Sequence, residues 1–149
     1  MKILHPTDFS TCAEQARAHA VRLALALGAE VILLHVALEA TLYAEGRMGR
    51  KAVQRVYDAQ RKWAEETLEA RTAEVRAAGL TARWKLVVGV PFQEIVKVAA
   101  EEKADWIVMG THGRSGLDRL LLGSVASRVI RLAGCPVVTV RETESTGGR

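Results

Sequence analysis

The chain reads as one doubly wound α/β domain built on a parallel five-stranded sheet. Three observations predict it. Short apolar runs alternate with helix-periodic segments along all 149 residues. The second run, Val31 to Val36, is nearly continuous in its apolarity, as strands covered on both faces are. Glycine or proline punctuates the junctions. The length suits one domain, and 49% hydrophobic with 26% charged residues is a globular balance, not a disordered one.

Lys2 to His5 forms the first predicted strand, stopped by Pro6. Thr11-Cys12-Ala13-Glu14 has capping-box spacing, with Thr11 as N-cap and Glu14 reaching back. Ala13, Ala16, Ala20, Leu23 and Leu27 then recur at helical spacing until Gly28 ends the helix. Val31 to Val36 is the second strand. A looser segment, Leu38 to Gly49, carries glycines that would permit a lid, and it leads into a long amphipathic helix ending near Ala78. Ala82 to Val88 is the third strand, and Gly89-Val90-Pro91 opens a helix containing Ile95, Val96 and Ala99. Asp105 to Met109 is the fourth strand. A glycine-punctuated loop follows, then a helix over Val125 to Ala133 with Gly134 as C-cap, then a last strand over Pro136 to Val140. The expected domain is 1–141, with 142–149 as a flexible tail.

Several function classes drop out. No apolar run approaches the length of a membrane span. Pro6 and Asp8 arrive too early for a signal peptide, and Cys12 and Cys135 alone make no disulfide framework, so a cytoplasmic setting is expected. The net charge of +4 and pI near 9.4 suit an anionic ligand. The basic residues are interleaved with acids, as Arg71, Arg76 and Arg83 are with Glu65, Glu66, Glu69 and Glu74, which argues against a nucleic-acid surface. No Gly-Lys-Ser/Thr follows the glycines, and no Gly-x-Gly-x-x-Gly follows the first strand. The third strand ends without the Asp of a phosphoacceptor domain.

The glycine loop carries the strongest functional signal. Gly110-Thr-His-Gly113 directly follows the apolar run Trp106 to Met109, and Gly123-Ser124 precedes a helix. Glycines let backbone approach a ligand closely, and a helix start presents N–H groups without partners to an anion. In doubly wound sheets ligands bind where strand order reverses. If the first and fourth strands are neighbours there, Pro6-Thr7-Asp8 faces the glycine loop across a crevice. Ser124 stands at the helix start, where its hydroxyl would cap the helix or touch phosphate. Ser127, one turn on, could reach the same group. His112 reads as a loop residue, Arg119 and Arg128 as solvated, and Trp63, Trp84 and Trp106 as packing. His5, His19 and His35 lack metal-ligand spacing.

Gly110-x-x-Gly113, nine residues and Gly123-Ser124 resemble the motif of the universal stress protein family's ATP-binding branch. The similarity runs over nearly the whole chain. It includes Ile3-Leu-His-Pro-Thr-Asp-Phe-Ser10, Leu34-His-Val36, Gly89-Val-Pro91, Ala104 to Gly113 and Cys135-Pro-Val-Val-Thr-Val140. The resemblance implies strand order 3-2-1-4-5, ATP with Mg²⁺, and a homodimer through the edge strand Pro136–Val140, whose apolar edge independently invites pairing. It implies that Pro6, Thr7 and Asp8 border the adenosine, with Asp8 on ribose hydroxyls or a metal. Val36 would read adenine through its main chain, and Met109 and Gly110 would lie beneath ribose and phosphates. Gly113, Arg114, Gly123, Ser124 and Val125 would cradle the phosphates. The expected function is a nucleotide-dependent switch or sensor acting on a downstream protein. A slow Mg-dependent ATPase and a nucleotide-free dimeric interaction module are the alternatives.

Overall fold

A computed structural model describes residues 1–39, 49–113 and 122–143. Five strands, β1 (Lys2–Pro6), β2 (Glu30–Ala37), β3 (Ala82–Val88), β4 (Trp106–Gly110) and β5 (Val137–Val140), form one sheet. Its order is β3-β2-β1-β4-β5, and every neighbouring pair is parallel. Four helices, α1 (Thr11–Leu27), α2 (Arg50–Ala77), α3 (Pro91–Glu102) and α4 (Ser124–Leu132), connect them.

Alternation along β1 sends its residues to two cores. Ile3 joins Ala16, Ala20 and Ala24 of α1 and Leu68 and Val75 of α2 on one face. Leu4 joins Ile95, Val98 and Ala99 of α3 and Ala126 and Val129 of α4 on the other. The inner stripe of α1 is alanine, so that helix sits close to the sheet. β2 is buried from Val31 to Leu34, which explains why its sequence shows no alternation.

Pro6 belongs to β1 instead of stopping it. Proline lacks only its own N–H, and the next ladder bond is made by Thr7, whose N–H donates to the Leu34 carbonyl at 2.8 Å. The start of α1 also differs from expectation. Ser10, not Thr11, is the N-cap, extended at φ −71° and ψ 162°, and its Oγ accepts from the Ala13 N–H at 3.2 Å. Thr11 is already helical. Glu14 does not reach back, because its carboxylate is taken by Arg17 and Arg71. Gly28 closes α1 in the left-handed conformation as expected, at φ 62°.

At the other end of the chain, α4 begins at Ser124 with Gly123 as N-cap and no side-chain cap bond, so Ser124 does not cap it. The helix ends on Ala133, extended at ψ 138°, not on a left-handed Gly134. Arg128 is exposed, as expected, and lies over the Phe92 ring at 4.8 Å. Trp84 and Trp106 pack against the α1/α2 core. Trp63 is 48% exposed but meets the edge of Phe9. The proposed lid, apart from Leu38, Glu39 and Gly49, lies outside the described residues, as do Arg114, Arg119 and 144–149 of the tail. No helix of the described residues is long and apolar enough to cross a membrane.

Candidate functional site

The order of the sheet reverses between β1 and β4. The chain leaves β1 into α1 on one face and leaves β4 toward α4 on the other, so the carboxyl ends of these strands part and open a crevice. A cavity of about 240 Å³ occupies it. Pro6, Thr7, Asp8, Val36, Met109, Gly110, Gly113, Gly123, Ser124 and Val125 all line its wall. Ser127 does not. Its N–H is spent on the Gly123 carbonyl at 2.9 Å, in the first intrahelical bond of α4.

The β1 side of the cavity is a tight reversal. The Phe9 N–H donates to Thr7 Oγ1 at 3.0 Å, and the Ser10 N–H donates to Asp8 Oδ1 at 3.0 Å. Phe9 between them has φ 63°, uncommon for a bulky residue. From β2, His35 donates through Nδ1 to the Thr7 carbonyl at 2.8 Å. The register of β1 on β2 ends at Pro6 opposite Leu34, so β2 runs on past β1 and places Val36 along the cavity.

The three motif glycines do different work. A Cβ on Gly110 would stand 2.7 Å from Cys12 Sγ and 3.2 Å from the Cys12 main chain, so this glycine lets β4 and α1 touch. A Cβ on Gly123 would stand 2.8 Å from the Thr111 carbonyl oxygen. The Gly123 N–H donates to that same oxygen at 2.7 Å, so it closes the loop instead of facing a ligand. Gly113 is exposed, and a Cβ there would come within 2.9 Å of Asp8 Oδ2. Only Gly113 brings glycine backbone against a polar group across the crevice.

Helix α4 supplies the electropositive end. The N–H groups of Ser124, Val125 and Ala126 precede its first intrahelical bond, and no side chain of the described residues caps them. All three residues line the cavity. Opposite them, Asp8 is the one acidic residue lining the cavity among the described residues. Uncapped N–H groups at one end and a carboxylate at the other suit a ligand that is anionic at one end and donates hydrogen bonds at the other.

Sequence reasoning missed two histidines here. His35 anchors the β1 loop as described. His112 lines the cavity, bonds the Thr111 hydroxyl through Nδ1 at 2.8 Å, and leaves a buried Nε2 without a partner. Its position directly before Gly113 was the available signal. Beneath the site, His5 is fully buried. Its Nδ1 donates to the Val108 carbonyl at 2.9 Å, and burial pushes its pKa down to about 4, so the ring is neutral.

Comparison with known proteins assigns the architecture. The model of the universal stress protein family matches residues 1–141. The chain belongs to the universal stress protein family. It is 35% identical over 156 aligned positions to universal stress protein MJ0577 of Methanocaldococcus jannaschii, covering 97% of this chain and 96% of that one. The solved structure of MJ0577 superposes with a TM-score of 0.85 at 37% identity, over 97% of both chains. A universal stress protein solved in complex with cAMP has a TM-score of 0.71 at 26% identity, covering 96% of this chain and 98% of that one. The Archaeoglobus fulgidus family member solved with dAMP has a TM-score of 0.65 at 28% identity, over 94% and 97%. Related family members therefore bind adenine nucleotides.

Proposed function

We propose that this universal stress protein binds ATP in the crevice between β1 and β4 and acts as a nucleotide-dependent switch on a downstream partner. One observation carries the reading: the start of α4, capped by no side chain of the described residues, and the Asp8 carboxylate line one cavity. In this reading the phosphates lie on the N–H groups of Ser124 and Val125, with Gly113 beside them. The nucleoside end lies toward Pro6, Thr7, Asp8 and Val36, over Met109 and Gly110. The Asp8 carboxylate accepts from the ribose hydroxyls. Gly123 contributes by shaping the loop, since its N–H already has a partner.

Mg²⁺ fits this donor set as a companion of the phosphates. Among the described residues no group of three or more His, Cys, Asp or Glu side chains could hold a metal. A cation that keeps most of its waters and is held chiefly by phosphate oxygens needs no such cage, and Asp8 would join it only in place of its bonds to the ribose hydroxyls. The Mg²⁺ supplies charge neutralisation when bound, while the chain's own groups orient the nucleotide.

Denaturing the purified protein and identifying released nucleotide, followed by calorimetric titration of stripped protein with ATP and Mg²⁺, tests the reading. Near-stoichiometric ATP or tight rebinding supports it. Absence of both sinks it. A slow ATPase is the second reading, favoured by His112, whose unpartnered Nε2 lies at the cavity wall and could take a proton from water. Sustained turnover lost in His112→Ala, with ATP affinity kept, would establish it.

A homodimer through β5 is the quaternary expectation. β5 is an edge strand paired only to β4. The N–H groups of Ile107 in β4 and of Thr111 just after it donate to the carbonyls of Pro136 and Val140, each at 2.9 Å, so the peptide groups of residues 137 and 139 face the open edge. Thr139→Pro removes an outward N–H without touching the β4 ladder. A dimer by light scattering that becomes a folded monomer in this variant is the expected outcome, and a persistent dimer excludes the edge.

A further inference from the structure

The bend at the head of the cavity has no glycine to explain it. Phe9 holds φ 63°, a region that a bulky residue occupies only when its surroundings over-determine it. Those surroundings are the α1/α2 core on one side and two aromatic side chains on the other. The Phe9 ring packs on His35 with 4.6 Å between centroids and meets Trp63 of α2 edge-on at 5.0 Å. His35 is pinned to the same loop through the Thr7 carbonyl. Phe9 itself does not line the cavity. The chain doubles back between Thr7 and Ser10, and the bond that closes the reversal, from the Ser10 N–H to Asp8 Oδ1, spans Phe9 and depends on its φ. Where the ring sits therefore sets where the Asp8 carboxylate sits.

We propose that Phe9 is a positioning residue for nucleoside recognition. Its ring, clamped by His35 and Trp63, holds the left-handed backbone that presents the Asp8 carboxylate to the ribose hydroxyls. The inference rests on the nucleotide reading and deepens it, because selectivity for the ribose then depends on a side chain that touches no ligand. Alanine at this position keeps the steric preference for negative φ and loses the clamp, so the loop relaxes and withdraws the carboxylate. Tyrosine keeps the ring and the clamp.

The test compares ATP with 2′,3′-dideoxy-ATP, which retains base and triphosphate and lacks both hydroxyls. Calorimetric titrations with Mg²⁺ are run beside thermal melts of each variant. The wild type should bind ATP about ten-fold more tightly than the dideoxy compound, a margin of about 1.4 kcal/mol. Phe9→Ala should lose that margin and leave dideoxy-ATP affinity within about two-fold, and Phe9→Tyr should restore it. Equal weakening of both ligands in Phe9→Ala would mark a general structural role and overturn the proposal, as would a margin that survives. A wild type without the margin would show that Asp8 does not meet the ribose, overturning this proposal while nucleotide binding stands. No ATP binding at all would remove the nucleotide reading and this inference with it. Should Phe9→Ala fail to fold, Trp63→Leu removes the edge partner of Phe9 and should reduce the same margin; an unchanged margin there also overturns the proposal.

Discussion

The two rims of the same sheet are built on opposite principles. At the amino ends of the strands, charges are matched. Arg83 bonds Glu30 at 2.7 Å and Glu102 at 2.5 Å, Lys85 also pairs with Glu102, and the Lys2 N–H donates to Asp105 at 2.7 Å. Glu102 closes α3, where a carboxylate opposes the helix dipole, and the cations around it repair that conflict. At the carboxyl ends the structure leaves needs unmet. No side chain of the described residues caps α4, His112 Nε2 has no partner, and Phe9 is held in a strained conformation. The amino rim has its own left-handed residue, Lys103 at φ 54°, but there it closes α3 beside matched charges. The unmet groups of the carboxyl rim instead line a cavity, as expected where a fold keeps its ligand site at one edge of a rigid scaffold.

The two rims should separate under acid, and the largest effect comes from His5. Burial, opposed by the bond to the Val108 carbonyl and reinforced by Arg17, lowers its pKa from 6.5 to about 4. The unfolded chain binds this proton first, so the contribution to stability is complete above pH 6.5 and is lost as pH falls toward 4. Denaturant melts should show a loss of about 3 kcal/mol across that window. His5→Gln should flatten that dependence, and an unchanged slope would assign it elsewhere. Glu102 acts in a lower window. The hydrogen bond from Arg83, then that from Lys85, hold its pKa at about 2 against 4.5. Its contribution is complete above pH 4.5 and disappears as pH falls toward 2.

A pair of glycine variants should divide binding from folding. Gly113→Val places a branched side chain against Asp8 Oδ2 and should weaken ATP by about 100-fold, or about 2.7 kcal/mol, with little change in melting because the position is exposed. Gly110→Ala drives a methyl into Cys12 and should cost about 2 kcal/mol of stability. The smallest effect belongs to the matched rim. Glu102→Gln should lower stability by about 1 kcal/mol and leave ATP affinity unchanged; a shift in affinity would show that the rims communicate.

The element order and the crevice were legible because they depend on apolar runs and punctuation. Asp8 and Gly113 were expected to face each other from the reversal of strand order alone. Local ends were harder to read. Ser10 and Thr11 are both competent caps, and only the Phe9 bend, which no residue type advertises, decides between them. Ser124 looked like a cap for the same reason, but the closing bond from Gly123 to Thr111 brings glycine to that position. Gly110 and Gly123 read as ligand glycines because spacing records where backbone comes close, not what it comes close to. Ser127 has the right spacing from the loop and the wrong depth in the helix.

The contact between Gly110 and Cys12 also makes Cys12 a chronometer for the fold. Its thiol is 2% exposed, lies over a glycine with no room for an added atom, and points to the Val140 carbonyl at 3.4 Å. Alkylating reagents cannot reach it while α1 lies on β4. Cys135 is only partly buried and should react first. The lag between the two thiols records how often the first helix lifts from the sheet, in the unmodified chain and without an added probe.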